Sequence, residues 1–270
     1  MPAILEILAR RFKGNIPGMR GVPESSVPKA VVPDETNPLP SDVLGEAIAE
    51  LKANPFSPEA LTNYWRVKLQ VDGKRVGLEI SVPDCNWTEE EIRLPMKDTG
   101  GNAVPSMLVY IPGELMGQEG LAKLKQMYLS PSIQNSSVQK GANVQDRSDT
   151  NTKGVWVKVE ATLDAPNLGT TRRDLKKHSI RQGYVPQREN TYILASEASR
   201  VLRGERFDVN TWSWLGSRLI CYGFYVSYRL SLDGSFLGST RSLPPKSPRY
   251  IGGRFEEMKK SPPSSTLEAV

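Results

Sequence analysis

Apolar residues along the chain fall into short runs with two different spacings. From Tyr64 to Val71, Trp65, Val67, Leu69 and Val71 alternate with Arg66, Lys68 and Gln70; after Asp72-Gly73 the alternation resumes at Val76, Leu78, Ile80 and Val82. A period of two on either side of a primed-turn dipeptide predicts a β-hairpin with one buried face. Val155, Val157, Val159, Ala161 and Leu163 alternate in the same way with Trp156, Lys158, Glu160 and Thr162. Further strands are predicted over Val104–Ile111, Tyr192–Leu194, Asn210–Leu215 and Arg218–Leu232, with a second hairpin turn at Asp233-Gly234. Helical spacing occurs at Ile4, Leu5, Ile7, Leu8 and Phe12, again at Val43, Leu44, Ala47, Ile48 and Leu51 behind a Ser41-Asp42 cap, and over Leu115–Leu129. Thr88-Glu89-Glu90-Glu91 has the form of a capping box, and Thr171 can cap a basic helix reaching Arg181. Strands and helices mix without a βαβ rhythm, so the expected class is α+β, predominantly antiparallel, with a few short helices and disordered termini.

Composition divides this pattern into segments. Asn15 to Pro40 holds prolines at 17, 23, 28, 33, 38 and 40 and few bulky apolar residues. Residues 1–40 are therefore expected to be an amphipathic helix followed by a flexible Pro-rich arm. Residues 41–243 form the expected core, with a polar, mobile loop at 130–153, and residues 244–270 read as a disordered basic tail. No run approaches the roughly 18 apolar residues that span a bilayer. At the N-terminus the charges follow the apolar run, an order unlike that of a signal peptide.

Charge placement says more than the net value of +5. The windows 1–29, 165–190 and 241–260 carry +3, +4 and +4, which leaves −6 for everything else. Such segregation suits an anionic partner. On a helix, Arg172, Arg173, Lys176, Lys177 and Arg181 would put much of their charge along one broad side; with Arg188 they are the candidate nucleic-acid or headgroup contacts. Only Tyr184 lies nearby as an aromatic, so base stacking is not part of the expectation. At the N-terminus Ile4, Leu5, Leu8 and Phe12 could enter a membrane interface while Arg10, Arg11 and Lys13 meet anionic headgroups; docking onto the protein's own core or a partner chain is the competing reading.

The catalytic inventory is thin. His178 is the sole imidazole, and its cationic neighbours suggest a solvated surface position. Cys85 and Cys221 read as buried thiols in a reducing compartment, and three Cys and His residues fall short of a structural zinc site. No G-x-S-x-G, P-loop or dinucleotide fingerprint occurs, and Gly100-Gly101 and Gly252-Gly253 read as turns. Glu89 to Glu91 fit a helix N-terminus better than an acid/base cluster. Trp212 and Trp214 read as one edge of the core. No catalytic residue, metal or cofactor is expected.

The apolar-basic start (Ile4 to Lys13), the Pro-rich spacer (Pro17 to Pro40), a first core strand at Tyr64 to Val71, the polar mid-chain loop and late strands such as Arg218 to Leu232 together resemble the matrix proteins of rhabdovirus-like negative-strand RNA viruses. The resemblance lies in architecture, and the chain departs from the family in lacking P-P-x-Y and P-[ST]-A-P motifs and in its long basic tail. It implies a non-enzymatic viral structural protein of the virion and of the host cytoplasm or membrane periphery. Such a protein self-associates as a homo-oligomer and bridges nucleoprotein or RNA to an anionic membrane surface. A nucleic-acid-binding movement or capsid-type protein without a membrane role is the alternative.

Overall fold

A computed structural model describes residues 41–128, 144–145, 153–219, 225–230, 236–241 and 249–259. The expected N-terminal helix, the Pro-rich arm, Cys221, the Asp233-Gly234 turn and most of the 130–153 loop lie outside these residues.

Helix α1 (Ser41–Ala53) leads into α2 (Pro58–Lys74), whose N-cap Ser57 accepts a bond from the Ala60 amide and whose first residue is proline. This second helix replaces the expected hairpin. Its buried face is Leu61, Tyr64, Trp65, Lys68, Leu69 and Asp72, a helical stripe in which two members are charged. Lys68 and Asp72 bond each other at 2.6 Å across one turn, and the Tyr128 hydroxyl donates to Asp72 at 2.7 Å. Because these two polar residues broke the apolar stripe, the alternation dominated; Asp72-Gly73 is the last helical turn, and residues 78–86 run without regular structure. Helix α3 (Glu89–Arg93) opens with the expected capping box: the Glu91 amide donates to the Thr88 hydroxyl and the Thr88 amide to the Glu91 carboxylate.

Strands β1 (Met96–Lys97) and β2 (Ala103–Val104) pair antiparallel across the Gly100-Gly101 turn, and β3 (Ser106–Ile111) follows. A 3₁₀ turn (Gly113–Leu115) and α4 (Gly117–Tyr128) come next, then β4 (Val144–Gln145), β5 (Val155–Glu160) and β6 (Asn167–Leu168). Inside the expected mobile loop, Val144–Gln145 therefore belongs to a sheet. Helix α5 (Arg172–Gln182), β7 (Val185–Pro186) and α6 (Glu189–Arg203) precede β8 (Trp212–Leu219), β9 (Tyr225–Leu230), β10 (Phe236–Arg241), β11 (Ile251–Gly253) and β12 (Phe255–Met258).

Helix α6 overturns the expected strand at Tyr192–Leu194. Residues 189–199 are buried without interruption, so no periodicity survives to distinguish helix from strand.

The strands form two larger sheets. One has the order β10-β9-β8-β11-β6, with β4 also on β8; the other is β3-β5-β12-β7. All pairs are antiparallel except β11 with β8. The α+β class is thus the architecture found. The chain passes from the first sheet to the second at one residue, Arg254, between β11 and β12. Residues 251–258, expected in a disordered tail, are therefore structural strands, and Gly252-Gly253 is strand rather than turn. Strand β5 buries both faces: Lys158 is as hidden as Val157, because its Nζ donates to the Glu91 and Leu94 carbonyls at the end of α3.

Two apolar clusters hold the molecule. The larger joins α1, α2, α6, β3 and β5; the smaller gathers Met96, Val104, Leu175, Tyr184, Trp214, Ile251 and Phe255 beneath α5. Trp214 is buried and Trp212 packs at its rim, as an edge of the core should.

Candidate anion-binding helix face

Helix α5 is fixed at both ends by its sequence. The Thr171 hydroxyl accepts from the Asp174 amide at 3.3 Å and bonds the Asp174 carboxylate at 2.6 Å. Gly183 closes the helix in the left-handed region at φ 74°, a conformation that favours glycine. The inward stripe is Leu175 and His178. Leu175 lies flat on β11: a Cβ on Gly253 would stand 2.5 Å from its Cδ2 atom.

His178 is buried, not solvated, because its ring is the helix's second anchor. It packs against Phe255 and Tyr184, with ring centroids 5.0 and 5.8 Å away. Its Nε2 lies 2.8 Å from the Lys97 carbonyl, which can only accept, so Nε2 carries the hydrogen and Nδ1 is left as an acceptor facing Arg181 at 3.5 Å. Burial pushes the imidazole below its ordinary pKa and Arg181 pushes the same way, against the Lys97 carbonyl and Asp98. A neutral ring bonded on both nitrogens is a structural group. Its cationic neighbours suggested solvent, but Lys176 and Lys177 occupy the opposite, outer side of the helix, and Arg181 reaches back to the buried ring itself.

That opposite side carries Arg173, Lys176 and Lys177, all exposed and none within ion-pair distance of a carboxylate among the described residues. Ile180, 73% exposed, continues the same face at the next turn. Arg181 is exposed and reaches the Thr99 carbonyl at 3.4 Å. Arg172 opens the helix, and its side chain lies outside what is described.

Arg188 does not join this face. Its Nε donates to the buried Glu256 carboxylate at 2.5 Å and its amide to the other oxygen at 3.2 Å, leaving the side chain 11% exposed. It is an internal partner rather than a headgroup contact. Two cations of the C-terminal basic window are engaged in a similar way. Arg254 is fully buried against Asp208, and Lys259 pairs with Glu91 at 2.8 Å. Of the expected contact set, the structure thus brings Arg173, Lys176 and Lys177 together with Arg181 beside them. The expected membrane contacts Ile4, Leu5, Leu8, Arg10, Arg11, Phe12 and Lys13 lie outside the described residues.

No protein-family model matches the chain, and no curated protein or solved structure matches it either. Function must therefore be argued from its own side chains.

Among the described residues no three His, Cys, Asp or Glu side chains converge to hold a metal ion, and no helix is long and apolar enough to cross a membrane. Cys85 is half-buried; burial pushes its thiol up, away from the reactive thiolate. What sequence reasoning missed was the interior. Lys68, Lys158, Arg254, Glu160, Glu189 and Glu256 are all buried, and only the spacing of Lys68 and Asp72 offered a prior signal, as an i,i+4 pair.

Proposed function

We propose that this protein is a non-enzymatic structural protein of the matrix type, which self-associates and bridges nucleoprotein or RNA to an anionic membrane, with the outer face of α5 as its phosphate-binding surface. One observation supports this above the others. Among the described residues Arg173, Lys176 and Lys177 have no carboxylate within ion-pair distance and stand together on one side of a helix whose other side is anchored by Leu175 and His178. A rigid cationic surface without stacking aromatics suits sequence-independent contact with a phosphate backbone. The membrane role rests on the apolar-basic residues from Ile4 to Lys13.

Co-sedimentation with single-stranded RNA and with phosphatidylserine-containing vesicles tests both halves. Three phosphate contacts predict a slope near −2 in log affinity against log salt, roughly a 20-fold loss between 50 and 200 mM. The variant Arg173→Gln/Lys176→Gln/Lys177→Gln should lose RNA binding, and deletion of residues 1–14 should lose vesicle binding while keeping RNA. RNA binding by the triple variant equal to that of the parent protein would overturn the assignment of this face.

A further inference from the structure

A groove of about 460 Å³ opens where the end of α1, the first turns of α2, α3, β3 and the end of α6 meet. Its floor is apolar and held in place. Trp65 donates its indole N–H to the Leu108 carbonyl at 3.2 Å, and Phe56 and Met107 flank it, both partly buried. Its rim is cationic: Lys52, Arg93 and Arg203 line it, and among the described residues no carboxylate does. The three are not equivalent. Arg93 lies over the Phe56 ring at 4.4 Å and is neutralised by Glu89 at 2.5 Å. Among the described residues Lys52 and Arg203 have no acidic partner within ion-pair distance. Arg203 is nevertheless positioned, since its Nη1 donates to the Ala161 carbonyl at 2.6 Å, and desolvation alone acts on its titration, pushing it down.

We infer that this groove binds a small anionic amphiphile, its apolar body over Trp65 and Phe56 and its carboxylate or phosphate head against Arg203 and Lys52. Two features select that class. The volume falls within the roughly 300–1,000 Å³ of small-molecule sites. The charge asymmetry, two unanswered cations above a wall without acids, complements a single anionic head and repels a cationic one. The site is separate from the α5 face and shares no residue with it, so it stands whether or not that face binds RNA.

Titration calorimetry with laurate, below its micellar concentration, tests the inference, with dodecyltrimethylammonium as the equal-length cationic control. Saturable 1:1 binding of laurate is expected, with the cationic amphiphile at least tenfold weaker. Arg203→Gln/Lys52→Gln should weaken laurate about tenfold, the loss of about 1.4 kcal/mol. Met107→Trp should block the groove, and the α5 triple variant should leave laurate binding unchanged. Should Met107→Trp fail to fold, the exposed-charge variant alone decides. Absent or non-saturable laurate binding, equal binding of both amphiphiles, or full affinity in Arg203→Gln/Lys52→Gln would each overturn it.

Discussion

Arg254 is a wholly buried charge, and its pairing can be measured. It sits where the chain changes sheets, with 0% of its side chain exposed, and Asp208, also at 0%, faces it at 2.9 Å. Its Nε donates to the Ser213 hydroxyl at 2.8 Å, its Nη2 to the Thr162 and Leu163 carbonyls at 3.0 and 3.2 Å, and its guanidinium lies 4.5 Å over the Phe207 ring. Asp208 also accepts from Tyr192 at 2.8 Å and Thr211 at 3.0 Å. Replacing Asp208 by Asn removes the negative charge and turns a donor toward Arg254 and Tyr192. Asn tolerates the φ of 61° at this position, so backbone strain adds little. Breaking one side of a buried pair costs about 3–5 kcal/mol. At roughly 2–4 °C per kcal/mol for a chain of this size, the melting temperature should fall by roughly 6–20 °C. Arg254→Met should cost a similar amount. The double variant should lose less than the sum, with a coupling of about 2–3 kcal/mol in urea denaturation. If the two losses add to within about 0.5 kcal/mol, Arg254 and Asp208 do not act as a pair and the sheet junction is held otherwise.

Two further outcomes follow from buried groups. Glu160 is wholly buried and accepts from the Phe255 amide at 2.9 Å and from Asn167 at 3.2 Å; burial, opposed by these donors and Arg254, pushes its carboxyl from 4.5 up to about 8. The unfolded chain gives up this proton near 4.5 and the folded chain near 8, so stability falls as pH rises between those values, by at most about 5 kcal/mol. His178 has its pKa lowered and acts only below about 6.5, where the unfolded state takes the proton first. Burial also pushes the Glu256 carboxyl up, with the same sign, so the comparison of variants isolates Glu160: urea midpoints from pH 6.5 to 8 should fall in the parent protein and stay flatter in Glu160→Gln, and equal slopes would refute the shift. The second outcome compares glycines. A Cβ at Gly120 would lie 2.1 Å from the Leu115 carbonyl carbon, which is backbone, whereas one at Gly253 meets the movable Leu175 methyls at 2.5 Å. Gly120→Ala should cost about 3 kcal/mol and Gly253→Ala about 1, both read by thermal unfolding, and the reverse order would contradict the packing.

How much of this was legible depended on whether the signal was local. The capping box at Thr88, the cap at Thr171 and the helix it begins, and the alternation of β5 each rest on a few adjacent residues, and all three were readable. Burial was not. Helix α2 hid its stripe because Lys68 and Asp72, polar by type, face inward with each other as partners. Strands β11 and β12 hid in a Pro-, Ser- and Lys-rich stretch because Arg254 and Glu256 serve there as core residues, each answered by a partner more than 40 positions away in sequence. His178 was misplaced for the same reason: its partner carbonyl belongs to Lys97, 81 positions earlier. Pairings of that range leave no periodic trace.

The same sorting of charges bears on how binding must work. Counting cations by sequence window gave three basic regions, but Arg188, Arg254 and Lys259 are engaged with Glu256, Asp208 and Glu91 and cannot also neutralise a phosphate. Among the described residues α5 keeps Arg173, Lys176 and Lys177 unpaired, with Arg181 beside them, too few for tight binding by one molecule at physiological salt. Affinity for a long polyanion then has to come from several copies acting together, since linked sites gain far more than any one contact supplies. Self-association is on this reasoning a requirement of the proposed role. RNA binding should rise more steeply than linearly with protein concentration, and the steepness should be lost on RNA too short to meet more than one copy. A binding curve that is hyperbolic and independent of RNA length would mean that α5 works alone, which so few cations cannot explain.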